Sequence, residues 1–179
     1  MVTITYFVHG TTTDNLDKLA TGWLPGELSD LGKEQAKKLG EQAADKSFDI
    51  VFCSDLKRAI DSANLAFGDK YKIIHDDRLR EANFGDLNGK PATFKDNMVD
   101  YIDTPFPNGE NFRDIEARLQ SFCDFLKEQY DGKHVAIVAH QAPQLALEVI
   151  LNNRSWGQAI MEDWRRSGNW QPGWTYTIS

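Results

Sequence analysis

The 179-residue chain has few cysteines and no long hydrophobic stretch, and these shortages exclude several classes of protein. Cys53 and Cys123 lie far apart and form no metal-ligand pattern, so we expect both to be reduced, buried thiols. No apolar stretch approaches the roughly 20 residues that span a bilayer. The amino terminus has no basic region before its first apolar stretch, which predicts a cytoplasmic protein without a signal peptide.

Positive charge is scarce as well. Lys and Arg together number 20 against 27 Asp and Glu, which gives a formal net charge of −7. Nucleic acids and anionic membranes bind basic surfaces, so neither is expected as a partner. A small anionic ligand remains compatible with this balance if the few basic side chains gather at one site. The length suits a single domain spanning residues 1–179.

Short apolar stretches alternate with amphipathic ones along most of the chain. Strands are predicted at residues 2–8, 48–53, 71–74, 134–139 and 173–178. Helices are predicted from Ser29, as the cap, to about residue 45, at 55–67 with Ser54 as the cap, at 110–130, and from 141 to about 151. This alternation predicts an α/β fold, a three-layer sandwich in which helices flank a mostly parallel central sheet.

Residues 82–112 depart from this alternation. They are rich in Asn, Asp, Gly and Pro, yet they carry six large apolar side chains: Phe84, Phe94, Met98, Tyr101, Phe106 and Phe112. Because so many apolar side chains need a surface to pack against, we predict that residues 82–112 form a cap-like excursion from the sheet. The tail contains Trp156, Trp164, Trp170 and Trp174, which we expect to pack against the fold. An aromatic rim over a substrate is the alternative.

Chemically useful side chains follow several of the predicted strands. His9 ends the first strand and His140 ends the strand at 134–139. Arg58 lies in the first turn of the helix after residues 48–53, and Glu81 follows the strand at 71–74. Ligands bind at the carboxyl ends of strands in open α/β sheets, so this repeated placement favours a functional site.

These residues belong to an ordered set of motifs between residues 4 and 145. In chain order the motifs are Val8-His9-Gly10-Thr11-Thr12-Thr13-Asp14-Asn15, Leu28-Ser29-Asp30-Leu31-Gly32-Lys33-Glu34-Gln35-Ala36, Ser54-Asp55-Leu56-Lys57-Arg58-Ala59, Leu79-Arg80-Glu81-Ala82-Asn83-Phe84-Gly85, Pro107-Asn108-Gly109-Glu110 with Arg118, and Val138-Ala139-His140. The set resembles the motifs of the histidine phosphatase superfamily, and this resemblance implies a phosphoglycerate mutase-like fold.

The resemblance also implies a mechanism that uses no cofactor and no metal ion. His9 attacks the phosphorus of a small phosphorylated metabolite and carries the phosphoryl group as phosphohistidine. Glu81 protonates the leaving oxygen and then deprotonates the attacking water. The phosphate ligands implied are Arg58, Asn15, His140 as a cation, and Gln141 at the start of its helix.

The first motif departs from the superfamily pattern. Val8 precedes His9 where the superfamily typically has arginine, and Thr11 replaces its usual glutamate. A charge-assisted hydrogen bond contributes about 1.5–3 kcal/mol, so the missing arginine predicts weakened or altered activity. Lys57 and Arg80 are candidate substitutes by sequence position, although surface or substrate-rim positions are favoured for both.

Three functions are compatible with these residues. The first is a small-metabolite phosphatase with weakened or altered activity. The second is a catalytically impaired homologue that binds a phosphorylated ligand or a protein partner. The third is a phosphoglycerate mutase-type phosphotransferase. Retention of the site residues favours an enzyme: His9, Arg58, Glu81, His140 and Asn15. The short excursion at 82–112 favours the phosphatase, because mutases of the superfamily tend to have a larger insertion after the glutamate.

Overall fold

The computed structural model describes residues 1–167 and 173–179, apart from the side chains of Trp164 and Ser167. The strands, in chain order, are β1 (Val2–Val8), β2 (Leu19–Ala20), β3 (Ile50–Cys53), β4 (Ile73–His75), β5 (Lys90–Pro91), β6 (His134–Ala139) and β7 (Trp174–Ile178). The helices are α1 (Thr13–Leu16), α2 (Asp30–Gln42), α3 (Lys57–Phe67), α4 (Phe112–Gln129), α5 (Gln141–Asn152) and α6 (Trp156–Met161).

The main sheet has the strand order β4-β3-β6-β1-β7. Its first four strands are mutually parallel, and β7 runs antiparallel to β1 at the edge. One face packs on α2 and α3 around Phe7, Val51 and Phe67. The other face packs on α4 and α5 through Phe52 and Ile137. This arrangement confirms the predicted α/β fold with helices on both sides of a mostly parallel sheet.

The helix starts were predicted with mixed success. The Ser29 hydroxyl accepts a hydrogen bond from the Gly32 amide at 3.1 Å, so the predicted cap of α2 is confirmed. The prediction that Ser54 caps α3 is wrong, because this helix begins at Lys57 after Leu56. The Ser54 hydroxyl instead accepts from the Leu56 amide at 3.2 Å, within the turn before the helix. Arg58 nevertheless lies in the first turn, as predicted.

A two-stranded pairing links the loop after His9 to the segment at 82–112. Strands β2 and β5 pair antiparallel outside the main sheet. The rest of the segment is built on 3₁₀ turns at Gly85–Leu87 and Ala92–Tyr101. Its aromatic side chains form a cluster in which Tyr101 stacks on the buried Phe106 with ring centroids 3.9 Å apart. The loop after His9 and the excursion are therefore held together.

The predictions for the two cysteines and for the tryptophans of the tail can be compared with the structure in part. Cys53 and Cys123 are buried free thiols, and burial raises the pKa of each to about 12. Trp156 is buried against Phe112, with ring centroids 4.9 Å apart, whereas the Trp164 side chain and Trp170 lie outside the described residues. Among the described helices, none is both long and apolar enough to cross a membrane.

Candidate active site

His9 and His140 meet at the carboxyl end of the sheet. Strands β1 and β6 are parallel neighbours in which Val8 is paired with Ala139, so the next residue of each strand is a histidine. The His9 amide donates to the Ala139 carbonyl at 3.0 Å and continues the pairing. The two imidazole rings lie with centroids 5.0 Å apart at an angle of 62°. The parallel register of β1 and β6 therefore brings together the imidazole rings of two motifs that are far apart in sequence.

The partly exposed His9 ring has a defined orientation. Its Nδ1 atom lies 2.7 Å from the Gly10 carbonyl oxygen, which only accepts hydrogen bonds, so Nδ1 carries the hydrogen and donates. The Nε2 lone pair then accepts from Nε of Arg58 at 3.3 Å. Burial, reinforced by the charge of Arg58, lowers the pKa of His9 to about 3. The ring is therefore neutral, with Nε2 as its basic nitrogen.

His140 is fully buried, and its backbone is held by one side chain. The Tyr6 hydroxyl donates to the His140 carbonyl at 2.7 Å and accepts from the His140 amide at 3.0 Å. Neither ring nitrogen has a hydrogen-bond partner within the described part of the chain. Burial and the charge of Arg58 hold the pKa of His140 well below its usual value. The His140 ring is therefore neutral in the protein without a ligand, and the His140 cation stays a prediction for the phosphate-bound site.

Arg58 is a buried cation that anchors the loop before α2. Its Nη1 donates to the Leu24 carbonyl at 2.8 Å and its Nη2 donates to the Gly22 carbonyl at 2.7 Å. Gly22 has a φ of +54°, and a Cβ added there would lie 1.8 Å from the Asn88 side-chain oxygen. Burial lowers the pKa of Arg58 to about 10, so the guanidinium stays charged at neutral pH.

Glu81 is buried at the amino terminus of α5, beside His140. Its Oε1 atom accepts hydrogen bonds from the amides of Ala82 at 2.9 Å and Ala142 at 3.0 Å. Its carbonyl oxygen accepts from Nε1 of Trp23 at 2.7 Å. One carboxylate oxygen is thus fixed to the first turn of α5, the helix that follows His140 directly.

The side-chain amides of Asn15 and Gln141 have hydrogen-bond partners outside the histidine pair. Asn15 is exposed, and its side-chain oxygen accepts from the Thr12 amide at 3.0 Å in the cap of α1. Gln141 is the first residue of α5 and donates from Nε2 to Asp163 at 2.5 Å. Neither side chain is hydrogen-bonded to His9 or His140. The predicted role of Gln141 depends instead on the amino terminus of α5, which begins at this residue, and the roles of Asn15 and Gln141 as phosphate ligands stay predictions.

The two candidate substitutes for the missing arginine are held in ion pairs. Lys57 is exposed and pairs with Asp61. Arg80 donates from Nε to Asp55 at 2.7 Å and stacks over the Trp23 ring at 4.7 Å. These contacts agree with the favoured interpretation of both as surface or rim charges.

Sequence reasoning missed a cavity of about 380 Å³ beside the start of α5. It is lined by Lys95, Asp96, Met98, Gln141, Leu145, Ile160, Asp163, Arg165 and Arg166. Lys95 comes from the excursion, whereas Arg165 follows α6 and donates to Asp163 at 2.8 Å. No periodic pattern or motif marks either cation, because the cavity joins segments that are far apart in sequence.

The fold and the paired histidines define a class of phosphoryl-transfer proteins, and comparison with known proteins gives the family. The model of the histidine phosphatase superfamily, branch 1, matches residues 6–159. The chain therefore belongs to the histidine phosphatase superfamily. The resemblance found in the sequence motifs is confirmed.

The relatives include both phosphatases and mutases. The chain is 31% identical over 160 residues to "Uncharacterized phosphatase PhoE" of Bacillus subtilis, covering 88% of this chain and 79% of that protein. It is 33% identical over 161 residues to a 2,3-bisphosphoglycerate-dependent phosphoglycerate mutase of Rhizobium meliloti, covering 80% and 76%. The crystal structure of the alpha-ribazole phosphatase from Shigella flexneri superposes with a TM-score of 0.78 at 29% identity, covering 88% of this chain and 83% of that one.

Proposed function

We propose that this protein is a phosphatase of small phosphorylated metabolites that works through a phosphohistidine on His9. The orientation of His9 carries this proposal. Its Nδ1 hydrogen is held by the Gly10 carbonyl, so the lone pair of Nε2 is directed toward Arg58. A neutral, oriented imidazole beside a buried guanidinium is suited to attack a phosphorus atom whose oxygens the guanidinium binds.

The reaction proceeds in two steps. In the first, Nε2 of His9 bonds to phosphorus, the phosphorus–oxygen ester bond breaks, and the leaving oxygen takes a proton from the Glu81 carboxyl group. In the second, Glu81 accepts a proton from water while the water oxygen bonds to phosphorus. The phosphorus–nitrogen bond then breaks and inorganic phosphate leaves. The hydrogen bonds from Ala82 and Ala142 orient the Glu81 carboxyl group for both proton transfers.

His140 and Arg58 are the proposed ligands of the phosphoryl oxygens. Both ring nitrogens of His140 are buried and have no partner within the described residues, as expected for groups that bind a ligand. A bound dianion favours the protonated form of a neighbouring imidazole. We therefore expect His140 to take up a proton when the phosphomonoester binds, and to donate to a phosphoryl oxygen in that form.

Two observations favour a phosphatase over the alternatives. Against a mutase, the excursion at 82–112 is short, whereas mutases of the superfamily tend to have a larger insertion after the glutamate. The arrangement also argues against a binding protein without turnover, because the proposed nucleophile, guanidinium and proton donor lie around one edge of the sheet. These are His9, Arg58 and Glu81. The proposed reaction uses no metal ion, so a chelator is expected to leave the rate unchanged.

The test is phosphate release from p-nitrophenyl phosphate and from a panel of sugar and nucleotide phosphates. Wild type is compared with His9→Ala and with His75→Ala, which alters an exposed histidine at the end of β4. We expect His9→Ala to abolish release and His75→Ala to preserve it. Transfer of the phosphoryl group to an added alcohol instead of water would favour the mutase. Binding of the substrates without release would favour the impaired homologue.

A further inference from the structure

The site around His9 contains little positive charge for a dianionic ligand. Both imidazoles have lowered pKa values and are neutral. Arg58 is the cation in contact with His9, but its Nη atoms are already bound to the backbone carbonyls of Gly22 and Leu24. Val8, which precedes His9, supplies no charge. The proton that His140 is expected to take up on binding adds one charge, but the cation typical of position 8 is still missing. A further cation from elsewhere in the chain would therefore strengthen the binding of a phosphomonoester dianion.

Lys95 lies close enough to His9 and Glu81 for an electrostatic interaction with each. Its ammonium group is 5.2 Å from the centre of the Phe84 ring, and Phe84 follows Glu81 by three residues. Lys95 also lines the cavity that Gln141 lines, and Gln141 adjoins His140. Among the described residues, no carboxylate oxygen lies within ion-pair distance of the Lys95 ammonium.

Two other cations near the site, Arg118 and Arg165, are already paired. Arg118 donates from Nε to Glu110 at 2.9 Å. Arg165 is bound to Asp163 at 2.8 Å. Lys95 is held instead by a ring face, which leaves its three N–H donors available to a ligand. Burial lowers the pKa of Lys95, and the carboxylate of Glu81 opposes this effect from within the site.

We infer that Lys95 is a phosphate-binding residue of this site and supplies the positive charge that Val8 does not. The inference rests on the proposed function. The long lysine side chain extends from the 3₁₀ segment Ala92–Tyr101 to the face of the Phe84 ring and lines the cavity beside α5. From there its ammonium group donates to a phosphoryl oxygen. The excursion thereby takes part in binding the reacting group and does not only cover it.

Titration calorimetry with inorganic phosphate tests this inference. The variants are Lys95→Met, which keeps the length without the charge, and Lys95→Arg, which keeps the charge. The control is Lys90→Met, which alters an exposed lysine of the same excursion. We expect Lys95→Met to weaken phosphate binding by about 10- to 100-fold and Lys95→Arg to restore most of it. Lys90→Met should bind phosphate like wild type.

Steady-state kinetics on the same variants separate this inference from the proposed function. Lys95→Met should raise KM for p-nitrophenyl phosphate while its melting temperature stays close to that of wild type. Wild-type phosphate affinity in Lys95→Met would overturn the inference, and so would the absence of phosphate binding by wild type. If His9→Ala abolishes hydrolysis and Lys95→Met changes neither KM nor affinity, only the inference fails. If no form hydrolyses a substrate but binding still depends on Lys95, only the proposed reaction fails.

Discussion

Nε of Arg58 donates to Nε2 of His9 at 3.3 Å, so the arginine occupies the lone pair that the proposed nucleophile uses. This is a long hydrogen bond for two nitrogen atoms, and it is correspondingly weak. A phosphoryl oxygen that accepts from Arg58 Nε would replace this contact and bring phosphorus next to His9. Binding of the phosphomonoester to Arg58 is therefore expected to free the Nε2 lone pair of His9 in the same step.

Arg58→Lys should impair both activity and stability. Lysine keeps the charge but cannot donate simultaneously to His9 and to the Gly22 and Leu24 carbonyls. We expect kcat/KM to fall by roughly 10- to 1000-fold and the free energy of unfolding to fall by about 1–3 kcal/mol. Steady-state kinetics and urea unfolding measure the two effects. Arg113→Lys, an exposed substitution on α4, is the control and should change neither quantity. Wild-type kcat/KM in Arg58→Lys would exclude the proposed role.

Acid should destabilise the protein through its neutral histidines. Their pKa is near 6.5 in the unfolded chain but is lowered on folding, to about 3 for His9. Below pH 6.5 the unfolded chain therefore binds more protons than the native protein. The stabilisation is complete above pH 6.5 and is lost as the pH falls toward the folded-state values, at about 1.4 kcal/mol per pH unit for each such imidazole.

Urea unfolding of wild type and His140→Gln at pH 7 and pH 5 checks this prediction. The variant should lose less stability between the two pH values, because one neutral imidazole has been removed. Leu126→Ala is a suitable comparison, since it removes a buried apolar side chain of α4 without changing any titratable group. It should keep the pH dependence of wild type. Identical slopes for wild type and His140→Gln would show that His140 is not held neutral.

Tyr6→Phe should displace His140. The Tyr6 hydroxyl holds both the amide and the carbonyl of His140, and its loss leaves two buried backbone groups without that partner. We expect a loss of about 1–3 kcal/mol in unfolding free energy together with weaker phosphate binding. Tyr176→Phe is the matched control, because its hydroxyl contacts Gln144 at 2.9 Å and Glu148 at 2.7 Å. The control should lose stability but keep its affinity for phosphate.

Val8→Arg should compensate for the loss of Lys95. The partly exposed Val8 side chain lies at the end of β1, directly before His9. In the Lys95→Met background, we expect the added guanidinium to raise kcat/KM by about tenfold or more. In wild type the gain in kcat/KM should be smaller, because the Lys95 ammonium group is already present. A double-mutant cycle with Val8→Met as the neutral control measures the difference. Equal gains in both backgrounds would mean that the two positions act independently.

Much of the fold was predictable because its signals are local. The apolar strands and amphipathic helices have their own periodicities, and these predicted the order of the elements. The boundaries were less accurate. Ser54 satisfies a turn amide instead of a helix end, and β4 begins at Ile73 rather than residue 71. The pairing of β2 with β5 was missed, since two-residue strands show no periodicity.

The proposed chemical groups also follow from local position. His9, Arg58, Glu81 and His140 were placed by motifs at the ends of predicted strands, and parallel pairing brings such ends to one edge. The hydrogen-bond partners of the Asn15 and Gln141 side chains could not be predicted. Their partners, the Thr12 amide and Asp163, depend on a cap and on a contact between α5 and the segment after α6.

Local pattern was enough to establish the superfamily, the alternation of strands and helices, and the identity of the proposed nucleophile. Tertiary packing decided the protonation state of that nucleophile, the groups that accept hydrogen bonds from Arg58, and the location of Lys95. The physical reason is that burial, charge and hydrogen bonding depend on neighbours in space. Lys95 and Tyr6 acquire their partners only when the excursion and the sheet fold against the rest of the chain.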